Sequence, residues 1–313
     1  MLSHGPHSRT VRILLAATCA LGCDNAWAAT APQDPTSAVA EGRSEKIVGG
    51  DGLTLTVYDA GRSGARPVVF IHGFAQNALT WDHQFRGLED RFRVVAYDLR
   101  GHGASEKPLD AAQYTDPALW ADDLAAVIRS RGLDRPVLVG WSYGGYVIAD
   151  YLRRYGDADL GGLVFVAAVT KNGTEEAAAY LTEDVLEIFP QVLAPDVRTS
   201  IAGTRALTKM FAGPRPEEWE IAFGSAMMVP PAIRLAMFSR LLDNDDVLRG
   251  VRLPTLVVHG SRDRIVRVSS AEHTARTVPG AKLLVYEGIG HAPSLDAPAR
   301  FNRDIAEFVR SLR

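Results

Sequence analysis

The sequence predicts an α/β fold: a mostly parallel sheet covered by helices on both faces and interrupted by one long helical insertion. Three observations carry this prediction. Short apolar runs alternate with helical periodicity through most of the 313 residues, which is the pattern of a parallel sheet with crossover helices. One such run, Val137-Leu138-Val139, leads into Gly140-Trp141-Ser142-Tyr143-Gly144, and a helical pattern of Val147, Ile148, Tyr151 and Leu152 follows. From Val169 to about Asp246 no strand-like run appears and helical patterns dominate.

The chain opens on a segment of another kind. Arg9 and Arg12 give a positive start, Ile13 to Leu21 is apolar, and Ala26-Trp27-Ala28 is a small-x-small site. This three-part pattern predicts a secretory signal peptide over residues 1–28 and a periplasmic or secreted mature protein. The apolar run is too short for a permanent bilayer span. Ala20-Leu21-Gly22-Cys23 offers an alternative, a lipoprotein anchored at Cys23. Both cysteines, Cys19 and Cys23, lie in this segment, so the mature chain is expected to hold neither a disulfide nor a cysteine nucleophile.

Composition is that of an ordinary globular chain, 47% apolar and 23% charged, which excludes a disordered chain and a membrane bundle. The formal net charge is −3, and loss of a segment holding two Arg and one Asp makes it one unit more negative. That balance provides no basic field for nucleic acid.

Residues 29–45 are rich in Ala, Pro, Ser and Thr and read as a flexible leader. Leu53, Leu55 and Val57 alternate with polar residues and predict an antiparallel edge strand. Pro67 to Ile71 is a continuous apolar run, as expected of a strand buried on both faces, and it ends at His72-Gly73-Phe74. A helix is predicted from about Asn77 to Leu88, then a strand over Arg93–Tyr97 running into Asp98-Leu99-Arg100-Gly101-His102-Gly103-Ala104-Ser105. Trp120, Leu124, Val127 and Ile128 mark an amphipathic helix before the Val137 strand, and Leu160–Ala168 is the next strand.

Within the insertion, Pro195-Asp196, Arg215-Pro216-Glu217-Glu218 and Pro230-Pro231 read as helix starts, with proline in the first turn. Asp243, Asp245 and Asp246 read as a polar cluster ending the last of these helices. The sheet resumes at Pro254 to Gly260, and Val268–Thr277 is a helix. Ala281–Tyr286 is the last strand and Ala297–Leu312 the closing helix. The expected layout is a core of residues 46–168 and 247–313 with a cap or lid over 169–246.

The glycine-flanked serine has a mechanical meaning in its strand–turn–helix setting. So sharp a turn lifts the hydroxyl clear of the sheet, and positions two before and two after it have no room for a side chain, hence Gly140 and Gly144. A serine hydroxyl is a weak nucleophile and needs a base held by a carboxylate. Two residues further along the chain supply them, each just past a predicted strand: Asp263 in Gly260-Ser261-Arg262-Asp263, and His291 in Gly288-Ile289-Gly290-His291-Ala292-Pro293. Loops at the carboxyl ends of parallel strands converge, so the three residues can meet.

Asp243, Asp245 and Asp246 are competing acids that come earlier in the chain. Backbone N–H groups of Tyr143, directly after the serine, and of Phe74 are the expected oxyanion donors. His72 could act as a second base, but an orienting role in the Phe74 loop is preferred, and His102 is read as a loop organiser in the same way. The histidines are scattered, with no zinc spacing, and neither a dinucleotide fingerprint nor a phosphate loop is present, so no metal and no nucleotide cofactor is expected.

These motifs, in this order, resemble the α/β-hydrolase family: His72-Gly73-Phe74, Asp98 to Ser105, Gly140 to Gly145, Asp263 and Gly290-His291-Ala292. The resemblance covers the chain from about Ile47 to its end. It implies an eight-stranded, mostly parallel sheet with an inserted helical cap, a Ser142–His291–Asp263 triad and no cofactor. Trp81-Asp82-His83-Gln84 and the Arg-Gly-His-Gly loop are similar to the serine esterase branch that contains cofactor-free haloperoxidases (perhydrolases). Dehalogenases and epoxide hydrolases of similar layout place an aspartate where this chain has Ser142.

The expected substrate is a small ester with a small to medium apolar acyl group, cleaved through an acyl-enzyme. Lactone, carbon–carbon, acyl-transfer and perhydrolase chemistry use the same residues, and a non-catalytic receptor is the remaining alternative. Met210, Met227, Met228 and Met237 fall in the insertion with Phe211, Trp219, Phe223 and Phe238, a composition suited to an adaptable apolar pocket wall. No sequence feature fixes an oligomeric state.

Overall fold

The computed structural model describes Val39, residues 43–212 and residues 215–312. The expected signal peptide, the alternative anchor at Cys23 and most of the leader lie outside these residues. Eight strands form one sheet: β1 (Arg43–Val48), β2 (Thr54–Ala60), β3 (Pro67–Ile71), β4 (Arg93–Asp98), β5 (Val137–Trp141), β6 (Gly162–Val166), β9 (Thr255–Gly260) and β10 (Lys282–Tyr286). Two short strands, β7 (Lys171–Asn172) and β8 (Leu242–Asp243), pair with each other instead.

The order across the large sheet is β1-β2-β4-β3-β5-β6-β9-β10. β2 pairs antiparallel with β1 and β4, and every other neighbouring pair is parallel. Every residue of β3, β5, β6 and β9 is buried. That is what continuous Val/Leu/Ile runs are for, since helices cover both faces of a parallel sheet. Helix Pro117–Ser130 packs on helix Gly144–Tyr155, and helix Asp82–Leu88 on helix Pro298–Ser311.

Two sequence expectations need correction at the amino-terminal side. The strand carrying Leu53, Leu55 and Val57 is β2, and it is not the edge, because β1 lies outside it. β1 begins at Arg43, inside the segment read as leader. Its sequence, Arg-Ser-Glu-Lys-Ile-Val, holds only two apolar residues, and only Ile47 of them is buried. An outer strand with one solvated face gives little periodic signal.

The insertion follows β6, as expected. Its helices are Glu175–Ala179, Glu183–Val192, Val197–Phe211, Pro216–Met227 and Pro231–Phe238. The three predicted starts hold: Asp196 accepts from Thr199 N at 2.8 Å, and Pro216 and Pro231 are first helical residues. The β7–β8 ladder, absent from the sequence reading, ties the entry of the insertion to its exit. Asp243 lies in β8, while Asp245 and Asp246 open a short helix, Asp245–Arg249, so the acidic cluster starts a helix where it was expected to end one. Acids in a first turn complement the helix dipole.

Two buried arginines hold the insertion in shape. Arg234 has no exposed surface and, among the described residues, no carboxylate partner. Its guanidinium donates to Val229 O (2.9 Å), Val192 O (3.2 Å) and Thr204 Oγ1 (2.7 Å), and to Ala226 O. Val192 and Ala226 lie in the last turns of two helices, where carbonyls lack intrahelical partners and carry partial negative charge.

Arg240 links the insertion to the core, donating to both oxygens of Asp150 at 2.7 Å and to Tyr143 Oη at 3.2 Å. The two paired side chains are each only 1% exposed. Removing one partner of such a pair strands the other charge, so Asp150→Ala should destabilise the fold by about 3–5 kcal/mol. Urea unfolding monitored by circular dichroism checks this, read as a lower midpoint at unchanged slope.

Candidate active site

Four loops at the carboxyl ends of parallel strands build the site: 72–75 after β3, 142–143 after β5, 261–266 after β9 and 287–292 after β10. Ser142 sits at the turn between β5 and helix Gly144–Tyr155 with φ of 52°. That left-handed conformation is strained for a residue with a side chain. The surroundings hold it there: Ser142 N donates to Val166 O at 2.9 Å, and Ser142 O accepts from Gly145 N at 3.0 Å. A Cβ at Gly140 would lie 2.6 Å from Gly144 O, and one at Gly144 would lie 2.6 Å from Ile71 O. Both glycines are therefore required sterically, as the sequence implied.

Asp263 and His291 meet. His291 Nδ1 lies 2.7 Å from Asp263 Oδ2, and the carboxylate side chain has no exposed surface. Its other oxygen, Oδ1, accepts from the backbone N–H groups of Ile265 (2.8 Å) and Val266 (2.9 Å). Burial alone would push the carboxyl up. The charge of His291 beside it and hydrogen bonds from His259 and His291 outweigh burial, holding Asp263 well below the usual carboxylate range. An ionised Asp263 places the His291 proton on Nδ1 and leaves Nε2 as the free base of the neutral ring.

The two loops are clamped together by Ser261 N to Tyr286 O (3.0 Å) and Arg262 N to Ile289 O (2.8 Å). Trp141 Nε1 fixes the histidine loop from the other side by donating to His291 O at 2.8 Å. None of Asp243, Asp245 and Asp246 contacts His291: Asp245 pairs with Lys171 and His273, and Asp246 with Arg153.

Ser142 and His291 both line a cavity of about 320 Å³. Among the described residues the Ser142 hydroxyl takes no hydrogen-bond partner, His291 included. In free enzymes such contacts are often long and tighten when substrate binds. The backbone N–H groups of Phe74 and Tyr143 likewise take no partner among the described residues. Two unpaired main-chain donors on loops that flank Ser142 are what an oxyanion site requires.

The histidines of the neighbouring loops act as the sequence suggested. His72 donates from Nδ1 to Gly73 O (2.8 Å) and accepts at Nε2 from Leu99 N (3.0 Å). His102 uses Nδ1 on Arg100 O (2.8 Å) and Nε2 on Ala75 N (3.2 Å). Each ring is a fixed neutral tautomer bridging two segments of main chain. Burial pushes His72 down to about 4, against a smaller opposing effect of the Gly73 carbonyl. Burial and then the neighbouring His72 hold His102 well below the ordinary imidazole value. Neither ring has a nitrogen left for proton transfer.

The cavity wall differs from the expected one. Phe211 and Phe238 line it, joined by Phe189 from the helix Glu183–Val192. None of the four methionines does: Met237 is core, and Met228 is 53% exposed. Trp219 and Phe223 stack on each other under Arg205, away from the cavity. Phe74, Phe189 and Phe238 form a three-ring cluster, with centroids 4.5, 4.7 and 5.9 Å apart. Sequence reading also missed His259, whose Nε2 lies 3.1 Å from Asp263 Oδ2.

Comparison with known proteins agrees with the architecture. Residues 66–298 match the model of the alpha/beta hydrolase fold family. The solved structure of the esterase RhEst1 from Rhodococcus sp. ECU1013 superposes with a TM-score of 0.82 at 33% identity, covering 86% of this chain and 99% of that one. A non-heme haloperoxidase from Rhodococcus erythropolis is 31% identical, covering 85% of this chain and 99% of its own length. The bifunctional esterase/perhydrolase DCH of Acinetobacter calcoaceticus is 28% identical, over 83% and 98%. With its elbow, its sheet order and these relatives, the chain belongs to the α/β-hydrolase fold family.

Proposed function

We propose that the protein is a serine-dependent hydrolase of carboxylic esters with apolar, ring-sized or medium-length groups. The observation that carries this reading is the buried Asp263–His291 hydrogen bond opening onto the same cavity as the strained Ser142. Ser142 Oγ attacks the ester carbonyl while His291 Nε2 takes its proton. Asp263 holds the ring in the required tautomer and stabilises the imidazolium. The carbonyl oxygen, now negative, accepts from the N–H groups of Phe74 and Tyr143. Collapse expels the alcohol, which takes the proton back from His291. Water then repeats the sequence on the acyl-serine, releasing the acid and restoring the hydroxyl.

The cavity supports an apolar substrate: its wall is mostly Phe, Trp, Val, Leu and Ile, with Lys171, Asn172 and Thr174 as the polar minority beside the site. Its volume suits a ligand at the small end of the usual range. A second reading is supported by the haloperoxidase and esterase/perhydrolase relatives. In it, peroxide replaces water as acceptor and the same triad makes a peracid. Product analysis with water and peroxide in competition separates the two.

A fluorophosphonate probe should label Ser142, and Ser142→Ala should abolish both labelling and p-nitrophenyl ester hydrolysis. An unlabelled wild-type protein would sink the reading. Asp263→Asn should lower kcat by about four orders of magnitude, measured with p-nitrophenyl acetate. Because Asp263 lies well below the usual carboxylate range, it stays ionised throughout the working pH range. The rate should therefore rise with pH along a limb shaped by one group, the deprotonating His291; a limb of slope two in log kcat/KM against pH would contradict this. Across p-nitrophenyl esters of increasing chain length, kcat/KM should pass through a maximum and fall once the acyl group outgrows the cavity.

A further inference from the structure

We propose that His259 is a positioning residue for Asp263 and His291, fixing the shared carboxylate oxygen and setting how strongly it draws the His291 proton. The proposal rests on the reading of Ser142, His291 and Asp263 as one catalytic set. His259 is the penultimate residue of β9, four residues before Asp263, and its side chain is wholly buried. Nε2 sits between two oxygens, Asp263 Oδ2 at 3.1 Å and Val266 O at 2.9 Å. Neither oxygen can donate, so Nε2 carries the hydrogen; it donates to Val266 O, and its N–H edge lies beside Asp263 Oδ2.

The other nitrogen, Nδ1, is buried with no hydrogen-bond partner among the described residues. A polar atom left so is a cost that an apolar filler of the same volume would avoid. Packing alone therefore does not account for a histidine at this place. The N–H at Nε2 does.

The ring closes a small circuit. Val266 N donates to Asp263 Oδ1 while Val266 O accepts from His259, so the segment 263–266 is cinched around the carboxylate. With Ile265 N on Oδ1 and His291 Nδ1 on Oδ2, three donors meet the carboxylate, and the His259 ring lies 3.1 Å from Oδ2. Oδ2 thus faces two rings, and what His259 takes from that oxygen is lost to His291. Other charged groups of the surrounding loops are engaged elsewhere. Asp296 accepts from Gly290 N and pairs with Arg215, Glu287 accepts from Ser261, and Arg264 pairs with Asp184 of the insertion.

Removing the His259 donor should leave Oδ2 wholly to His291 and raise the affinity of that ring for its proton. The sign is the same whether His259 is neutral or charged, since loss of a nearby cation also favours the imidazolium.

The test compares the wild type with His259→Leu, which lacks the donor, and His259→Gln, which can restore one, in the full chain. In His259→Leu the His291 midpoint, followed by ¹H–¹⁵N NMR of its ring, should rise by about one pH unit. The acid limb of kcat/KM for p-nitrophenyl acetate should move with it, and kcat should fall about tenfold with KM little changed. His259→Gln should return both midpoints toward wild type. A folded His259→Leu with an unmoved His291 midpoint overturns the proposal, as does a Gln variant displaced as far as Leu.

Should His259→Leu fail to fold, the Nε2–H resonance of His259 decides. It should shift between wild type and Asp263→Asn, and an identical resonance in both overturns the proposal. Because the NMR titration needs no substrate, it stays readable if the wild type proves unable to hydrolyse esters, and that separate result would sink the catalytic reading alone.

Discussion

A carboxylate removed from water has to be met by donors on each of its lone pairs or it takes up a proton. Asp263 satisfies this with two backbone N–H groups on one oxygen and the His291 imidazole on the other, with the His259 ring 3.1 Å away. The rest of the site depends on that arrangement. An ionised Asp263 decides which nitrogen of His291 is protonated, and that in turn decides whether Nε2 is available as a base. The arrangement is a product of strand order: β9 lies beside β10, so a residue just past the end of one reaches a residue just past the end of the other. The main-chain bonds from Ser261 and Arg262 to Tyr286 and Ile289 then leave the two loops one relative position.

The Ser142 loop is held by a different force. Strain at Ser142 persists because the main chain on either side is over-determined, with β6 bonded to its N–H and helix Gly144–Tyr155 packed hard against Ile71. A sharp turn and a buried carboxylate–imidazole hydrogen bond are independent constructions. They meet because parallel strands deliver all their carboxyl ends to one edge, which is why the fold concentrates chemistry there.

How far this was readable beforehand follows from the range of each signal. Buried parallel strands announce themselves as continuous apolar runs, and the elbow needs glycines at fixed offsets, so β3 to β6, β9, β10 and Ser142 were all legible locally. Asp263 and His291 were legible by chain order and by position after a strand. The neutral bridging roles of His72 and His102 followed from what imidazole can do in a glycine-rich loop. β1 was hidden because only one of its faces is dry, and the β7–β8 ladder because two residues carry no period. Arg234 and Arg240 were invisible for another reason. Arginine reads as surface unless its acceptors are known, and theirs lie 5 to 97 positions away in sequence.

The cavity wall was legible only in part: Phe211 and Phe238 line it as expected, and the four methionines expected beside them do not. Methionines grouped in sequence suggested an adaptable lining, yet the wall is made by Phe189, Phe211 and Phe238, brought over the site from three different helices. Two of those contacts reach the loops beside Ser142. Phe238 packs against Phe74 (4.7 Å) and against Tyr143 (5.9 Å), and Arg240, two residues further on, donates to the Tyr143 hydroxyl. The two residues whose main-chain N–H groups flank Ser142 thus have their side chains held by the insertion. Stiff rings in contact cannot be displaced singly, because an interior packed at crystal density has no room for one to move without its neighbours. Any shift of helix Pro231–Phe238 is therefore felt at Phe74 and Tyr143, and the same element that walls the cavity also sets the position of the two main-chain N–H groups beside Ser142.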